Sequence, residues 1–443
     1  MFRAAPLAPV LLLLVALHGC SSARSTPALR PASMPTRHVL ANGVRVVVQE
    51  QRASSVVALQ LWVAAGGRDE APSELGLAHY LEHMVFKGTS TRPLGAIDRE
   101  VESVGGRINA ATSLDYTYYH MLVPVARAAA GIDILADVAV NASLDAGALE
   151  REKLVVLEEM RRADDNPGLS LLRRLYTLVF DGHPYGRPVI GTPDLVRGLT
   201  REGLAGFYRR HYTPRAFTLV VVGPVTPAEV VSAATHAFSF IPRGGTDRLP
   251  VAPAPPAAWR TVEVTRPGAH AYLALGWTAP RLDHVDTPAM DLLVTILGQM
   301  PSSRLPRSLR DRLSLVNSIS SGYSPLEAGG IVSVSAQVEA GTLARAEAEI
   351  LAEIRRVQTE GVTDAELRRA ITHEEADYEF SYETAEGRAR RLGRAETMWR
   401  VEDELAYVNR LRAVTREQIR AAARRYLDLQ RYARVAFVPG PRP

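Results

Sequence analysis

The chain repeats itself at a distance of 215 residues. LTREGLAGFYRRHYTPRAFTLVVV (199–222) lies over VTREQIRAAARRYLDLQRYARVAF (414–437) without a gap, with Thr200-Arg201-Glu202 over Thr415-Arg416-Glu417 and Arg209-Arg210 over Arg424-Arg425. Each copy opens with a capping-box pattern, a Thr followed at short interval by a Glu. It continues as a helix and ends in a β-branched strand. At 443 residues the chain also exceeds what one hydrophobic core serves. The Pro/Ala-rich stretch LPVAPAPPAAWR (249–260) falls near the middle and reads as a stiff linker. The expected organisation is two homologous domains, 38–248 and 260–443, joined by 249–259.

Strand and helix signals alternate within each half. GVRVVVQEQ (43–51), SSVVALQLWVAAG (54–66) and AHAYLALGWTA (269–279) read as strands, and helical periodicity covers 74–87, 147–163, 285–300 and 343–357. Hairpin-like pairs near the start of each half predict an α+β fold. In it, each domain is a mainly antiparallel sheet with helices packed on one side.

The hydrophobic fraction of 47% and charged fraction of 23% are those of a globular protein. Lys occurs at 87 and 153 alone, the Arg residues are scattered, and the net charge is +4. No aromatic-plus-basic motif accompanies them, so nucleic acid is not an expected partner. The N-terminus, MFRAAPLAPVLLLLVALHGCSS, has a basic start, an apolar run too short to span a bilayer, and then the chain's single cysteine, Cys20. This pattern resembles a bacterial lipoprotein signal over 1–20, with Cys20 acylated and 21–37 a flexible tether. The expected location is the periplasmic face of a bacterial membrane, by preference the outer one. A plain secretory signal is the other reading.

GLAHYLEHMVFKGT (76–89) places His79, Glu82 and His83 within five positions. On a helix the two histidines share a face one turn apart, with Glu82 between them in angle. Two neutral imidazoles suit zinc, and a catalytic zinc needs a third protein ligand and an open position. H-x-x-E-H is the inverted metallopeptidase spelling, but five residues also arise by chance. LEREKLVVLEEMRRADDNP (149–167) offers Glu152 and Glu159, two turns apart, on a stripe shared with Val155 and Val156 that reads as buried. A buried carboxylate calls for a partner such as a metal, whereas an acidic solvated face would need none.

With these blocks the chain after residue 37 resembles the pitrilysin, insulinase and mitochondrial-processing-peptidase family of zinc metallopeptidases, in its bacterial two-domain, lipoprotein-sized branch. GLAHYLEHMVFKGT resembles the family's zinc motif, and EKLVVLEEM its third-ligand helix. GGRINAATSLDYTYY (105–119) resembles its substrate-binding edge strand, and HPYGRPVIGTPDLV (183–196) is a further family block. The resemblance implies one Zn²⁺ per chain on His79, His83 and Glu159, lowering the pKa of its water and polarising the scissile carbonyl. It implies Glu82 as general base and Glu152 as an auxiliary catalytic residue, in outer support of the metal or as a transient ligand. Asn109 and Ala110 would bind an extended peptide substrate along the strand edge.

In the second half TILGQM stands against HYLEHM, so Thr295, Gly298 and Gln299 replace His79, Glu82 and His83. The expected second domain is therefore catalytically inactive, every chemical position being lost. Family members also use an Arg and a Tyr seven positions apart from that half. Here Arg310 fits as a substrate-binding residue, but Asn317 stands seven later, and Tyr323 lies a further six residues, about 20 Å, along the strand. A two-domain chain is half of the family's clamshell. The resemblance thus implies a homologous subunit supplying the Arg/Tyr pair, a heterodimer before a homodimer. The expected activity is zinc-dependent endopeptidase action on peptides or unfolded chains. A non-catalytic peptide-binding scaffold of the same fold, or a maturation factor for a single peptide, is the alternative.

Overall fold

The computed structural model describes residues 33–440 apart from 243, 246, 247 and 340. The signal peptide, Cys20 and most of the tether lie outside the described residues. Residues read as the tether's end are already structured, since Thr36 and Arg37 open strand β1 (Thr36–Val39).

The first sheet contains β1, β2 (Arg45–Glu50), β3 (Val56–Val63), β4 (Arg107–Thr112), β5 (Thr117–Pro124) and β6 (Phe217–Gly223), in the order β1-β2-β6-β3-β5-β4. The second contains β7 (Arg260–Pro267), β8 (Ala271–Ala279), β9 (Val316–Pro325), β10 (Gly330–Val338) and β11 (Ala433–Gly440), in the order β7-β11-β8-β10-β9. Each sheet has one parallel pair, β2 with β6 and β7 with β11, and is otherwise antiparallel. The repeated segments land as expected. Helices Arg201–His211 and Arg416–Tyr426 feed β6 and β11, which hold equivalent places. Their caps differ from the sequence reading. Thr415 closes its box with Gln418 rather than Glu417, and Thr200 caps Gly203 N without a box. The N3 position is the one whose side chain reaches back to the cap, and the two Glu residues sit one place too early.

Seven helices shape the site and the sheet faces: α1 (Leu77–Val85), α2 (Ala128–Val140), α3 (Ala146–Asp165), α4 (Pro167–Val179), α5 (Thr287–Val294), α6 (Asp364–Ser381) and α7 (Ala385–Met398). Within the first half, α1 and α2 cover one face of the first sheet. Leu59, Leu61, Leu219 and Val221 meet Leu81, Ile132 and Leu135 there. The other face is covered from the second half: Ala389, Leu392 and Ala395 of α7 pack on Val47, Ala58, Trp62, Val220 and Val222. The second sheet is treated in the same way. Leu171, Leu175 and Val179 of α4 pack on Ala274, Val435 and Phe437. Each half thus lends one helix to the other's sheet, which explains why β3 and β6 are buried on both faces and almost wholly apolar, with Gln60 and Thr218 the exceptions. Two glycines permit the approach. A Cβ on Gly393 of α7 would stand 2.0 Å from Trp62 Nε1, and one on Gly276 of β8 would stand 2.8 Å from Val179.

The linker is part of this assembly. Ala254 N donates to Ala328 O, Ala252 O pairs with His183 Nε2, and Ala257 is buried in the cluster beneath α4. It lies strapped against both halves rather than standing free as a spacer.

Candidate metal centre

Helix α1 begins where Gly76, at φ 96°, turns the chain in the left-handed region open to glycine. Glu70 caps it, Oε2 accepting from Gly76 N at 3.0 Å and Oε1 from Ala78 N at 2.7 Å. Burial pushes the Glu70 carboxyl up to about 8 against those two donors. The helix is regular across both histidines, so His79 and His83 stack one turn apart with ring centroids 4.7 Å from each other.

Helix α3 crosses α1 and brings in Glu159. Nε2 of His79 and Nε2 of His83 face the same oxygen, Glu159 Oε2, at 3.6 and 3.7 Å. These separations are too long for hydrogen bonds. They approximate the roughly 3.4 Å that separates ligands of a tetrahedral ion with bonds of about 2.0–2.1 Å. Among the described residues these three form the group whose donor atoms, all within 4.8 Å, could hold a metal. Burial and the neighbouring His83 hold His79 down at about 4, so its imidazole is neutral at pH 7 with a lone pair to give. The donor set therefore fits zinc.

Glu152 lies on the opposite side of His83. It accepts from His83 Nδ1 at 2.9 Å and from Lys87 Nζ at 2.8 Å. Burial would raise its carboxyl, but Lys87 and His83 outweigh burial and hold it below the usual range. This geometry leaves Nε2 of His83 facing Glu159 and places Glu152 against the other nitrogen of the same ring. Nδ1 of His79 is buried without a partner among the described residues.

The stripe on α3 differs from its sequence reading at one position. Val156 and Glu152 are buried, but Val155 is 51% exposed. Glu152 and Val156 face the core, whereas Val155 and the half-exposed Glu159 lie toward solvent.

Strand β4 is the outermost strand of the first sheet, and no strand pairs with its outer edge among the described residues. Asn109 pairs with His120 of β5 and Ala110 with Tyr119. Ala110 and Ile108 share the face toward α1, and Thr112 follows at the same alternation. Oγ1 of Thr112 donates to Glu82 Oε2 at 2.5 Å. Burial pushes the Glu82 carboxyl above its ordinary range and the Thr112 bond opposes it, with His83 and Glu159 within electrostatic reach. Asn109 has the opposite parity. Its Oδ1 accepts from Ala110 N, and it lines a separate cavity with His120 and Glu386. Thr112 escaped the sequence reading although the alternation from Ala110 pointed to it, as did Lys87 within FKGT.

Arg310 is not brought to this centre. It lies on the wide helical segment Pro306–Arg312 of the second half and forks onto Asp311 at 2.8 Å. Asn317 stands 3.4 Å from His270 Nδ1, and the Tyr323 hydroxyl donates to Pro280 O at 2.6 Å. The degenerate counterpart of the metal centre is more informative. After α5 the chain widens into a π-helix at Thr295–Gln299. A Cβ on Gly298, where Glu82 stands in the first half, would lie 2.8 Å from Ser321 N. The edge strand of the second half is closed onto its helix, leaving no room for a base. The counterparts of His79, Glu82 and His83 are Thr295, Gly298 and Gln299, and the Thr295 hydroxyl donates to Glu374 on α6.

Comparison with known proteins agrees with this architecture. Residues 45–193 match the family described as Insulinase (Peptidase family M16), and residues 198–373 match the Peptidase M16 inactive domain. An uncharacterized zinc protease of Mycobacterium leprae is 33% identical over 418 residues, covering 91% of each chain. The mitochondrial-processing peptidase subunit beta of Lentinula edodes is 32% identical over 351 residues, covering 71% of this chain and 72% of its own. The crystal structure of a protease from Helicobacter pylori superposes with a TM-score of 0.85 at 24% identity, covering 92% of this chain and 99% of the other.

Proposed function

Since the chain belongs to the insulinase family, peptidase family M16, we propose that it is a zinc endopeptidase acting on peptides or unfolded polypeptides. The observation that carries this reading is the convergence of two imidazole nitrogens on one carboxylate oxygen, with a carboxylate base one helix position away. His79, His83 and Glu159 would hold the ion. Zinc bound there supplies Lewis-acid polarisation of the scissile carbonyl and acidifies the attacking water.

The remaining steps belong to the chain's own side chains. An extended peptide adds to the free edge of β4, its main chain bonding the strand so that affinity depends little on sequence. Glu82 takes a proton from the attacking water on a carboxylate oxygen and delivers it to the departing amine nitrogen. Thr112 holds the other oxygen of Glu82, and Glu152 with Lys87 holds the ring of His83.

The second half does not complete the substrate site by itself in this reading. Arg310 is bonded to its neighbour and the Tyr323 hydroxyl to a backbone carbonyl. We therefore propose that a homologous partner subunit supplies the Arg/Tyr pair and closes the chamber, and that Cys20 tethers the assembly to a membrane through lipid.

The test incubates the zinc-loaded chain alone with a mixture of unstructured peptides, with Glu82→Gln as control and mass spectrometry as readout. Cleavage that disappears in Glu82→Gln establishes the activity and shows that the chain needs no partner. Cleavage that persists in Glu82→Gln removes Glu82 from the role of general base. Bound zinc without cleavage leaves the peptide-binding scaffold as the reading, unless activity returns with a co-purified partner.

A further inference from the structure

The turn that follows β4 is held by both halves of the chain. Residues 113–116 join Thr112 to Thr117, closed by Ser113 N donating to Tyr116 O at 2.7 Å. Gly67 N and Arg68 N donate to Ser113 O and Leu114 O, each at 3.0 Å. The approach is so close that a Cβ on Gly66 would stand 2.4 Å from Ser113 O. Asp115, wholly buried in this turn, takes three further partners. Its Oδ1 accepts from the Tyr185 hydroxyl at 2.6 Å and faces Arg68 Nη1 at 3.4 Å. Its Oδ2 accepts from Glu327 N at 3.1 Å.

Glu327 belongs to the second half, in the tight turn 326–329 between β9 and β10. Ala328 N, next to it, donates to the Tyr185 hydroxyl at 2.9 Å. The Glu327 side chain reaches across the halves. Its Oε1 accepts from Arg68 Nη2 at 3.1 Å and its Oε2 from Arg248 Nη1 at 2.9 Å, while Arg248 Nε donates to Asp69 Oδ1 at 2.9 Å. Asp115, Arg68, Glu327, Arg248 and Asp69 thus alternate in sign along one line of contacts. The Arg68 side chain is 1% exposed. Burial would lower its guanidinium, but Glu327, Asp69 and Asp115, in that order, outweigh burial and raise it. A buried cation that loses its main partner turns to another carboxylate. For Arg68 the nearest is Asp115, at 3.4 Å against 3.7 Å for Asp69. Drawing Asp115 inward would pull the turn off the Tyr185 hydroxyl and the Glu327 N–H.

We propose that Glu327, in the second half, is a positioning residue for the peptidase reaction. Through Arg68 and Asp115 it sets the turn after β4, and with it the Thr112 hydroxyl that holds Glu82. This role rests on the peptidase reading and deepens it. A side chain from the half without metal ligands sets the geometry of the base without touching substrate.

The test uses the zinc-loaded full chain and one unstructured peptide that it cleaves, with Glu327→Ala, Glu327→Gln, Thr112→Val and the double variant Thr112→Val with Glu327→Ala. Glu327→Ala should lower kcat by about tenfold, with KM and zinc content near those of the parent. Glu327→Gln keeps one acceptor for Arg68 and should recover most of that loss. Because both residues act through the same hydroxyl, Glu327→Ala should lower kcat in the Thr112→Val background by no more than about twofold. Equal losses in the two backgrounds would overturn the role, as would a kcat for Glu327→Ala within about twofold of the parent. Hydrogen–deuterium exchange of the same zinc-loaded chains needs no cleavage. Amides of 113–117 should exchange faster in Glu327→Ala while those of α1 keep the parental rate. A rise spread over the whole first half would assign the effect to stability and overturn the positioning. If the parent cleaves no peptide, the peptidase reading fails by itself. Exchange at the turn then decides alone whether Glu327 orders it, and an unchanged rate there would overturn that as well.

Discussion

Thr112 Oγ1 donates to Glu82 Oε2, joining the strand offered to substrate to the carboxylate offered to water. Thr117 continues the chain, its hydroxyl 3.4 Å from that of Thr112 and 3.0 Å from Ala65 O. In the proposed reaction this line of hydrogen bonds would couple docking to proton transfer. Thr112→Val should lower kcat by about ten- to a hundredfold with KM and zinc content near those of the parent, and Thr112→Ser should restore most of it. Steady-state kinetics with metal analysis checks this. A matching rise in KM would mean that the residue serves the strand instead of the base.

In the proposed reaction Glu152 supports the metal through the ring of His83. Glu152→Gln keeps the shape but removes the charge facing His83 Nδ1, and zinc affinity should fall about ten- to a hundredfold. Lys87→Met should have a smaller effect, because its charge acts through Glu152. Competition with a chromophoric chelator measures both.

The helix exchange gives a packing prediction. In an ordinary helix interior Gly→Ala gains about 1 kcal/mol. At Gly393 the new methyl would occupy the space of the Trp62 indole, 2.0 Å from Nε1. The clash should win, with a net loss of about 1–3 kcal/mol. Urea unfolding of Gly393→Ala, monitored by tryptophan fluorescence, should show an earlier transition.

Acid should weaken a specific pair in the second half. Arg304 forks onto Glu366 at 2.7 and 2.8 Å, and Glu366 also accepts from Thr363 N. Burial alone would raise the Glu366 carboxyl, but these partners outweigh it and hold it at about 2, below the unfolded 4.5. A depressed carboxylate contributes its stability above the unfolded value and loses it as the pH falls toward the folded one. Glu366→Gln should therefore cost about 2 kcal/mol at pH 7. The gap to the parent should close between pH 4.5 and pH 2 in urea titrations across that range. A gap that stayed constant with pH would assign the effect to shape.

What was legible in the sequence was what depends on local spacing. His79 and His83 were found because four positions on a helix are one turn, and β4 because its block resembles a known edge strand. The place of Glu159 came with that resemblance, since helical period alone also fitted a solvated acidic face. The exchange of α4 and α7 was not legible. Periodicity tells that a helix has an apolar face but not which sheet it meets, and both helices stand next to sequence neighbours they could equally have covered. The nearly continuous apolar runs of β3 and β6, interrupted by Gln60 and Thr218, carried the clue that both faces are buried. Val155 was misread because it stands about 100° round the helix from Val156, so only one of the two adjacent valines reaches the core. Glu374 gave no signal in the sequence because its partner, Thr295, is not a ligand type, so only the fold brings the two together.

The exchanged helices also bear on how such a chain can change over generations. The second copy has Thr295, Gly298 and Gln299 where the first has His79, Glu82 and His83, yet it cannot be discarded, for α7 roofs the sheet beside the candidate metal centre. Nor can the first copy vary alone, since α4 roofs the sheet of the silent one. The two halves are free to diverge in chemistry but bound to inherit shape together. Shuffling one half into another protein would strip a layer from each, a dependence that the spacer-like look of the stiff linker conceals.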